Sequence, residues 1–226
     1  MRRPSLFFLP LIGSLATTAW AHRQLNIVPG RQGEHQGPTV LIAEVFGDQS
    51  KPDSLSLVLG HHRLLVLPDG SISVIDSSRI RTFGLPLPGT FFRLIGLRGF
   101  EVGPDLILIP EYADAESGGG YVLRLALNPI RSRWVSKRFG FNVASPLPEL
   151  PFLYVAAFGM VAKLDLNSGR YVWRHDNLYE PKTGAFNLFQ QPLRDGDSVV
   201  FTSAPGFGPL GRHITVESNT GRILER

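Results

Sequence analysis

The segment KLDLNSGRYVWRHD, residues 163–176, decides the fold class. Asn167-Ser168-Gly169 at its centre predicts a tight turn, because glycine has no Cβ and adopts the left-handed backbone that such turns need. The side chain of Asp165 can accept N–H bonds within the turn. Short runs rich in aliphatic and aromatic residues lie on either side, and Trp173 offers an apolar face with an indole N–H that needs a partner. The segment therefore predicts a β-hairpin that packs against a neighbouring sheet.

The same arrangement recurs along the chain at a nearly constant spacing. If Leu64, Leu106, Leu153 and Val199 are equivalent, the steps between repeats are 42, 47 and 46 residues. Each of these first runs is followed by a second and a third run, and a candidate innermost strand precedes it. A period of about 40–50 residues fits the four-stranded blade of a propeller. We therefore predict an all-β fold, a β-propeller of about four four-stranded antiparallel blades, with a β-sandwich or a partial propeller as the alternative.

The hairpin resembles the repeat of β-propellers of the pyrroloquinoline-quinone (PQQ) type. In that repeat a strand ending in Asp leads through Thr/Ser-Gly-Lys/Arg to a strand that carries Trp. The matching residues are Asp165, Ser168, Gly169, Arg170 and Trp173. The last repeat matches at Glu217, Thr220, Gly221 and Arg222, but Glu225 stands at the tryptophan position. Lys163 replaces the alanine that is usual two residues before the aspartate.

The resemblance implies a structural role for the motif, because the repeat places these residues between blades. We assign that role to Asp165, Ser168, Gly169, Trp173, Thr220 and Gly221. Family members that bind the quinone and Ca²⁺ generally have about twice as many blades and a vicinal cysteine pair, whereas this chain has no cysteine. We therefore predict no cofactor, and PQQ or Ca²⁺ remains the alternative. Other members of the family are scaffolds that bind proteins at the bacterial envelope.

The N-terminus predicts export. MRRPSLFFLPLIGSLATTAWA, residues 1–21, has a basic start, an apolar stretch and a small-x-small end, as in a secretory signal peptide. Residues 22–38 are polar and rich in Gly and Pro, and we interpret them as a lead-in segment to a repeat domain at 39–226. The apolar run is too short to span a bilayer, so no membrane span is expected after cleavage. The protein is expected in the periplasm or outside the cell.

Composition excludes several kinds of partner and site. Loss of Arg2 and Arg3 with the signal peptide lowers the formal net charge from +4 to +2, and no dense Lys/Arg patch remains for nucleic acid. The lack of cysteine excludes disulfides, thiolate metal sites and cysteine nucleophiles. The chain also lacks the common nucleotide-binding and hydrolase motifs. A catalytic role is therefore unsupported, and catalytic residues are not assigned.

Two long loops are the candidate binding elements. They lie between the first and second runs of the second and fourth repeats, at residues 110–120 and 203–213, and alternate blades of a four-bladed ring would bring them to one face. Their candidate binding residues are Glu111, Asp114 and Glu116 in the first loop, and Phe207, Arg212 and His213 in the second. The predicted function is an exported binding or scaffold protein that engages a protein partner through this face. The alternative is an enzyme, a reduced quinoprotein or another propeller enzyme, that acts on a small molecule.

One further expectation concerns closure of the ring. VLIAEVF, residues 40–46, lies outside the four repeats but has the composition of a strand. A strand with an unpaired edge tends to find a partner. We expect this segment to pair with the last repeat and so close the ring.

Overall fold

The computed structural model describes residues 40, 42–46, 55–66, 71–76, 79–84, 93–113, 118–179, 188–204 and 213–225. The predicted signal peptide and lead-in segment lie outside the described residues. No helix occurs within the described ranges, and therefore none long and apolar enough to cross a membrane. The all-β prediction is confirmed, since the described chain forms strands arranged in four antiparallel sheets.

Three of the sheets are simple four-stranded meanders. With strands numbered in chain order from β1 (Ala43–Phe46), sheet 1 contains β2 (Leu55–Leu59), β3 (His62–Val66), β4 (Ser71–Asp76) and β5 (Arg79–Gly84). Sheet 3 contains β11 (Leu147–Glu149), β12 (Phe152–Ala157), β13 (Met160–Asp165) and β14 (Tyr171–His175). Sheet 4 contains β15 (Leu193–Asp195), β16 (Ser198–Thr202), β17 (His213–Glu217) and β18 (Ile223–Glu225).

Sheet 2 has the same meander with two additions. Its strands are β6 (Arg93–Val102), β7 (Asp105–Ala113), β8 (Gly118–Gly120), β9 (Leu123–Leu127) and β10 (Ile130–Val135), together with β1. β8 folds back on the end of β7, and β1 pairs antiparallel with β6 from Ala43↔Gly99 to Phe46↔Gly96. The predicted pairing of residues 40–46 with the last repeat is therefore wrong. The physical reason is burial: Val40 and Ile42 pack on the core between sheets 2 and 3.

The core consists of three apolar clusters, each between two consecutive sheets. Between sheets 1 and 2, Leu64 packs with Leu106 and their neighbours. Ile107 and Leu153 belong to the cluster between sheets 2 and 3. Tyr154 from sheet 3 packs with residues of sheet 4, which include Phe201. Strand alternation thus gives each central sheet two buried faces, as the near-continuous apolar runs of β7 and β12 require.

These clusters correct the alignment of the first repeat by one residue. Leu64 packs towards the following sheet, as Ile107 does, whereas Leu106 packs towards the preceding sheet. Side chains alternate between the two faces of a strand, so a one-residue offset exchanges the faces. Leu64 is therefore equivalent to Ile107, and the first step is 43 residues rather than 42.

The outer faces of sheets 1 and 4 are more exposed than the faces inside the array. Val58 on β2 is 62% exposed and Leu193 on β15 is 61% exposed. Val200 and Thr215, next to Leu193 in the cross-strand row of sheet 4, are partly exposed. The equivalent row of sheet 3 contains Tyr154, which is 1% exposed.

Candidate functional site

The structure describes two of the six predicted loop residues, Glu111 and His213. Asp114, Glu116, Phe207 and Arg212 lie outside the described residues. Glu111 was predicted in a loop, but it lies in β7 and is buried, because β7 continues to Ala113 and β8 pairs with its end. His213 begins β17, and its Nε2 lies 3.0 Å from the carboxylate of Glu225.

The hairpin of the opening segment has a turn held by Asp165. Its carboxylate accepts hydrogen bonds from the backbone N–H of Asn167 at 2.8 Å and from the Ser168 hydroxyl at 2.7 Å. Gly169 closes the turn with φ +71°. Glu217 and Thr220 make the same side-chain contact in sheet 4, where Gly221 has φ +78°. Both hairpins thus have an acidic side chain that accepts hydrogen bonds within the turn, and a glycine in the left-handed backbone region.

Each of these turns receives a tryptophan from the preceding sheet. The indole N–H of Trp173 donates to the carbonyl of Ser218 at 2.9 Å, and its ring lies against Gly221. Trp134 donates to the carbonyl of Leu166 at 3.2 Å and lies against Gly169 in the same way. The sequence motif did not include Trp134, because the turn between β9 and β10 in sheet 2 lacks the acidic residue that marks the motif in sheets 3 and 4. Its cross-strand position, opposite Arg124 as Trp173 is opposite Lys163, could have revealed it.

A cationic side chain shares the acceptor with each tryptophan. Lys163 donates to the carbonyl of Ser218 at 3.0 Å, and Arg124 donates to that of Leu166 at 3.0 Å. Lys163 also lies over the ring of Phe152, 4.0 Å from its centroid. Burial lowers the pKa of Lys163, with a further lowering by Arg194. We call each pair of tryptophan and cation, with its shared carbonyl, a clasp. Lys163, which stands where the PQQ-type repeat usually has alanine, therefore has a structural role.

A pocket lies where sheets 2, 3 and 4 approach one another at one end of the strands. Its volume is about 270 Å³. Its lining residues come from β1, β6, β7, the connection into sheet 3 and the segments around β16: Phe46, Ile95, Arg98, Glu111, Asn142, Val143, Leu188, Phe189 and Ala204. Glu111 and Ala204 belong to the two long loop segments 110–120 and 203–213. The structure thus brings the bases of both segments to one pocket.

An ion-pair cluster centred on Arg98 supplies two of the residues that line this pocket, Arg98 and Glu111. The Arg98 guanidinium donates from Nη1 to Glu111 at 3.0 Å and from Nη2 to the carbonyl of Val143. Its Nε lies 3.2 Å from a carboxylate oxygen of Glu44 on β1. The second oxygen of Glu111 accepts the backbone N–H of Val143 at 3.1 Å. The cluster therefore connects sheet 2 to the chain that enters sheet 3.

Gly96 makes room for this cluster on the surface of sheet 2. Phe46, Gly96 and Glu111 are paired in one row across β1, β6 and β7. A Cβ at position 96 would lie 3.2 Å from the Glu111 carboxylate and 3.4 Å from the Phe46 ring. The absent side chain lets both groups lie across the sheet, and Phe46 also stacks on Arg98 at 4.9 Å.

The sequence does indicate part of this cluster. Arg98 and Glu111 each interrupt a run that is otherwise apolar, and the two runs belong to consecutive strands of one meander. Opposite charges on neighbouring strands are a known stabilising pair. Nothing in the sequence connected Glu44 or Phe46 to them, since β1 was expected in another sheet.

No known protein family matches the chain, and no curated protein matches it. Among solved structures it is similar to the crystal structure of the computationally designed Ika8 protein, with 10% sequence identity and a TM-score of 0.36. The match covers 75% of this chain and 72% of the designed chain. At this TM-score the similarity indicates neither the architecture nor the function of the protein.

Proposed function

We propose that the protein is an exported binding or scaffold protein whose four sheets are the blades of a partial propeller. The mature chain begins after the signal peptide and acts in the periplasm or outside the cell. Its partner is a protein, which it engages through the face that carries the segments 110–120 and 203–213. The four-strand meander in each sheet and the period of the repeats support the propeller part of the proposal.

One observation supports this face as the binding face. Glu111 and Ala204, each at the base of one long segment, line the same pocket although 93 positions separate them in the chain. Segments that extend from a rigid sheet framework are where proteins most often place their binding residues. The pocket between them combines apolar walls with a few polar groups, as binding sites do.

The test is an affinity pull-down from envelope extract with the mature protein as bait. In one variant, short turns replace residues 114–117, between β7 and β8, and residues 205–212, between β16 and β17. A control variant carries Pro104→Ser in the exposed turn at the opposite end of β7. We expect the wild type and the control to capture the same specific protein, and the loop variant to lose it. Capture that is unchanged in the loop variant would overturn the proposal.

The enzyme alternative has its own readouts. Bound quinone would give visible absorption in the purified protein, and stoichiometric Ca²⁺ would be found by elemental analysis. Either result, with turnover of an alcohol or sugar, would replace the binding function by the catalytic one.

A further inference from the structure

The array of sheets ends in two outer faces that differ in type. At each internal junction, one sheet packs one of its faces on the opposite face of the sheet that follows it. The outer face of sheet 1 is of the type that receives a preceding sheet, and the outer face of sheet 4 is of the type that packs on a following one. Val58 on the first is 62% exposed and Leu193 on the second is 61% exposed. The two outer faces are thus the two halves of a junction, and these two residues are not covered within one chain.

The strand register shows which positions of the outer face of sheet 4 correspond to the internal junction of sheets 3 and 4. Leu193 on β15 pairs with β16 as Leu147 on β11 pairs with β12. By the same register Asp195, two residues later, is equivalent to Glu149. Leu147 packs on the core between sheets 3 and 4. Sheet 4 therefore has a leucine and an acid where sheet 3 has the leucine and the acid that contact sheet 4.

An ion pair crosses the internal junction at these positions. Glu149 of sheet 3 lies 3.6 Å from Arg194 of sheet 4. On sheet 1 the position of Arg194 is held by Val58, and the cross-strand neighbour of Val58 is the exposed Arg63. Neighbouring strands lie about 4.8 Å apart, a distance that the long side chain of an arginine spans. Arg63 of one copy can therefore reach Asp195 of another, which reproduces this ion pair between two chains.

The exposed charges on the two outer faces are opposite in sign. In the described strands, the exposed charged residue on the outer face of sheet 1 is Arg63, whereas those on the outer face of sheet 4 are Asp195 and Glu225. Glu225 pairs with His213 at 3.0 Å, so we assign the contact to Asp195. Arg63 donates from Nε to Ser56 at 3.2 Å, and a guanidinium with five N–H donors can bind a second partner as well. Opposite charge favours docking of one face on the other over contact between two like faces.

Apolar residues accompany the charges on both outer faces. Inside the chain, Leu147 belongs to the cluster that contains Phe201 of sheet 4. The equivalent of Leu147 on the outer face of sheet 4 is Leu193, and the equivalent of Phe201 on sheet 1 is the partly exposed Leu65. These residues are smaller, and sheet 4 lacks a clasp. A junction between the two outer faces is therefore weaker than the internal ones, and reversible.

We infer that two copies of the chain associate head to tail, with the outer face of sheet 4 of each copy packed on the outer face of sheet 1 of the other. The dimer has two equivalent junctions and a closed ring of eight sheets, since each copy has four. Head-to-tail contacts form a ring where the rotation closes, and propellers commonly have about four to eight blades. The inference rests on the partial propeller of the proposed function, and it adds the partner that completes it.

Sedimentation velocity of the mature protein over a wide range of micromolar concentrations tests the association. We expect the mass to rise from that of one chain to that of two, and then to remain constant because the second junction closes the ring. A mass of one chain throughout would leave the faces to another protein or to another segment of this chain, and would overturn the inference. A mass that continues to rise beyond two chains would overturn it as well.

Substitutions on each face test the head-to-tail arrangement. Val58→Asp and Leu193→Asp each place a carboxylate on one outer face, and Val172→Asp is the control because Val172 is 46% exposed on β14 of sheet 3. With folding checked by circular dichroism, the first two variants should weaken dimerisation at least tenfold and the control should leave it unchanged. A mixture of Val58→Asp and Leu193→Asp should dimerise better than either alone, because the mixed dimer keeps one unaltered junction. A loss confined to one of the two variants would indicate contact between like faces and would overturn the inference.

Charge reversal tests the ion pair across the junction. Arg63→Glu and Asp195→Arg should each weaken dimerisation at least fivefold. The combined variant should recover most of the affinity, because opposite charges again face each other. Additive losses in the combined variant would overturn the inferred junction.

The loop variant separates failure of this inference from failure of the proposed function. Its replaced segments leave both outer faces intact, so it should dimerise as the wild type does. If the protein stays monomeric while loop replacement still abolishes partner capture, the inference is wrong and the proposed binding function stands. If dimerisation depends on both outer faces but the loop variant still captures the partner, the proposed binding function is wrong and the ring stands.

Discussion

The junctions inside the array and the outer face of sheet 4 use the same strand positions with different chemistry. Trp134 with Arg124 at the junction of sheets 2 and 3, and Trp173 with Lys163 at the junction of sheets 3 and 4, form clasps with the following sheet. At the same cross-strand position sheet 4 has Thr215 opposite Glu225. Both residues are partly or fully exposed.

The difference shows that a regular meander does not by itself decide how sheets join. The backbone pairing of sheet 4 repeats that of sheet 3, but sheet 4 lacks the bulky ring and the cation with which sheets 2 and 3 reach the next sheet. Polar residues on a terminal face keep a repeat array soluble. The clasps therefore reinforce two junctions, between sheets 2 and 3 and between sheets 3 and 4, and their removal tests this contribution directly.

The largest effect is expected for Trp173→Ala. Trp173 is 8% exposed, packs with Tyr154 and Phe201 at centroid distances of 6.0 and 6.3 Å, and satisfies the carbonyl of Ser218. Loss of a buried aromatic leaves a cavity, so the free energy of unfolding should fall by about 3–5 kcal/mol. Urea denaturation measures this free energy.

The control is Glu225→Ala at the equivalent position of sheet 4, where a change within about 0.5 kcal/mol is expected. Similar losses of stability in both variants would contradict the comparison between the two sheets.

A smaller effect is expected for Gly221→Ala. The backbone there has φ +78°, and a Cβ would lie 2.5 Å from the Trp173 ring. Left-handed strain costs about 1–2 kcal/mol, and forced repacking adds about 1–3 kcal/mol. Gly196→Ala is the matched control, since Gly196 also has positive φ, +53°, but open space around its Cβ position. Thermal unfolding should show that Gly221→Ala loses clearly more stability; equal losses would mean that contact with Trp173 contributes nothing.

The smallest effect, and the most specific, concerns the pH dependence of Lys163→Met. Burial lowers the pKa of Lys163 from its ordinary 10.5. In the interval between the lowered pKa and 10.5 the unfolded chain binds more protons than the folded chain, so wild-type stability rises with pH there. The wild type should therefore gain stability relative to Lys163→Met as the pH rises towards 10.5.

Thr215→Met is the control for this profile, because it places the same side chain at the equivalent position without removal of an ionisable group. Its stability should follow the pH curve of the wild type. Near neutral pH, Lys163→Met itself should change stability by less than about 1.5 kcal/mol, because the lost hydrogen bond and the relieved burial of a charge oppose each other. A difference between wild type and Lys163→Met that does not vary with pH would contradict a lowered pKa.

Local patterns were predictable where one segment contains all the determinants. The turn at Gly169 follows from residues within five positions of it, and the strands on both sides follow from their apolar runs. Glu111 was misplaced because its environment depends on β8 and on Arg98, which are defined only by pairing. β1 was misplaced for the same reason, since an apolar strand can pair with any available edge.

The amino-acid sequence by itself determined the all-β class, the repeated four-strand unit and the turns with acid and glycine, because these depend on side-chain alternation and backbone sterics over a few residues. Only the tertiary structure decided which carbonyl each clasp reaches, and that β1 pairs with β6. It alone brought Arg98, Glu111 and Glu44 into one cluster beside a pocket. Such contacts join residues far apart in the chain, and their partners are selected by burial and charge once the sheets have packed.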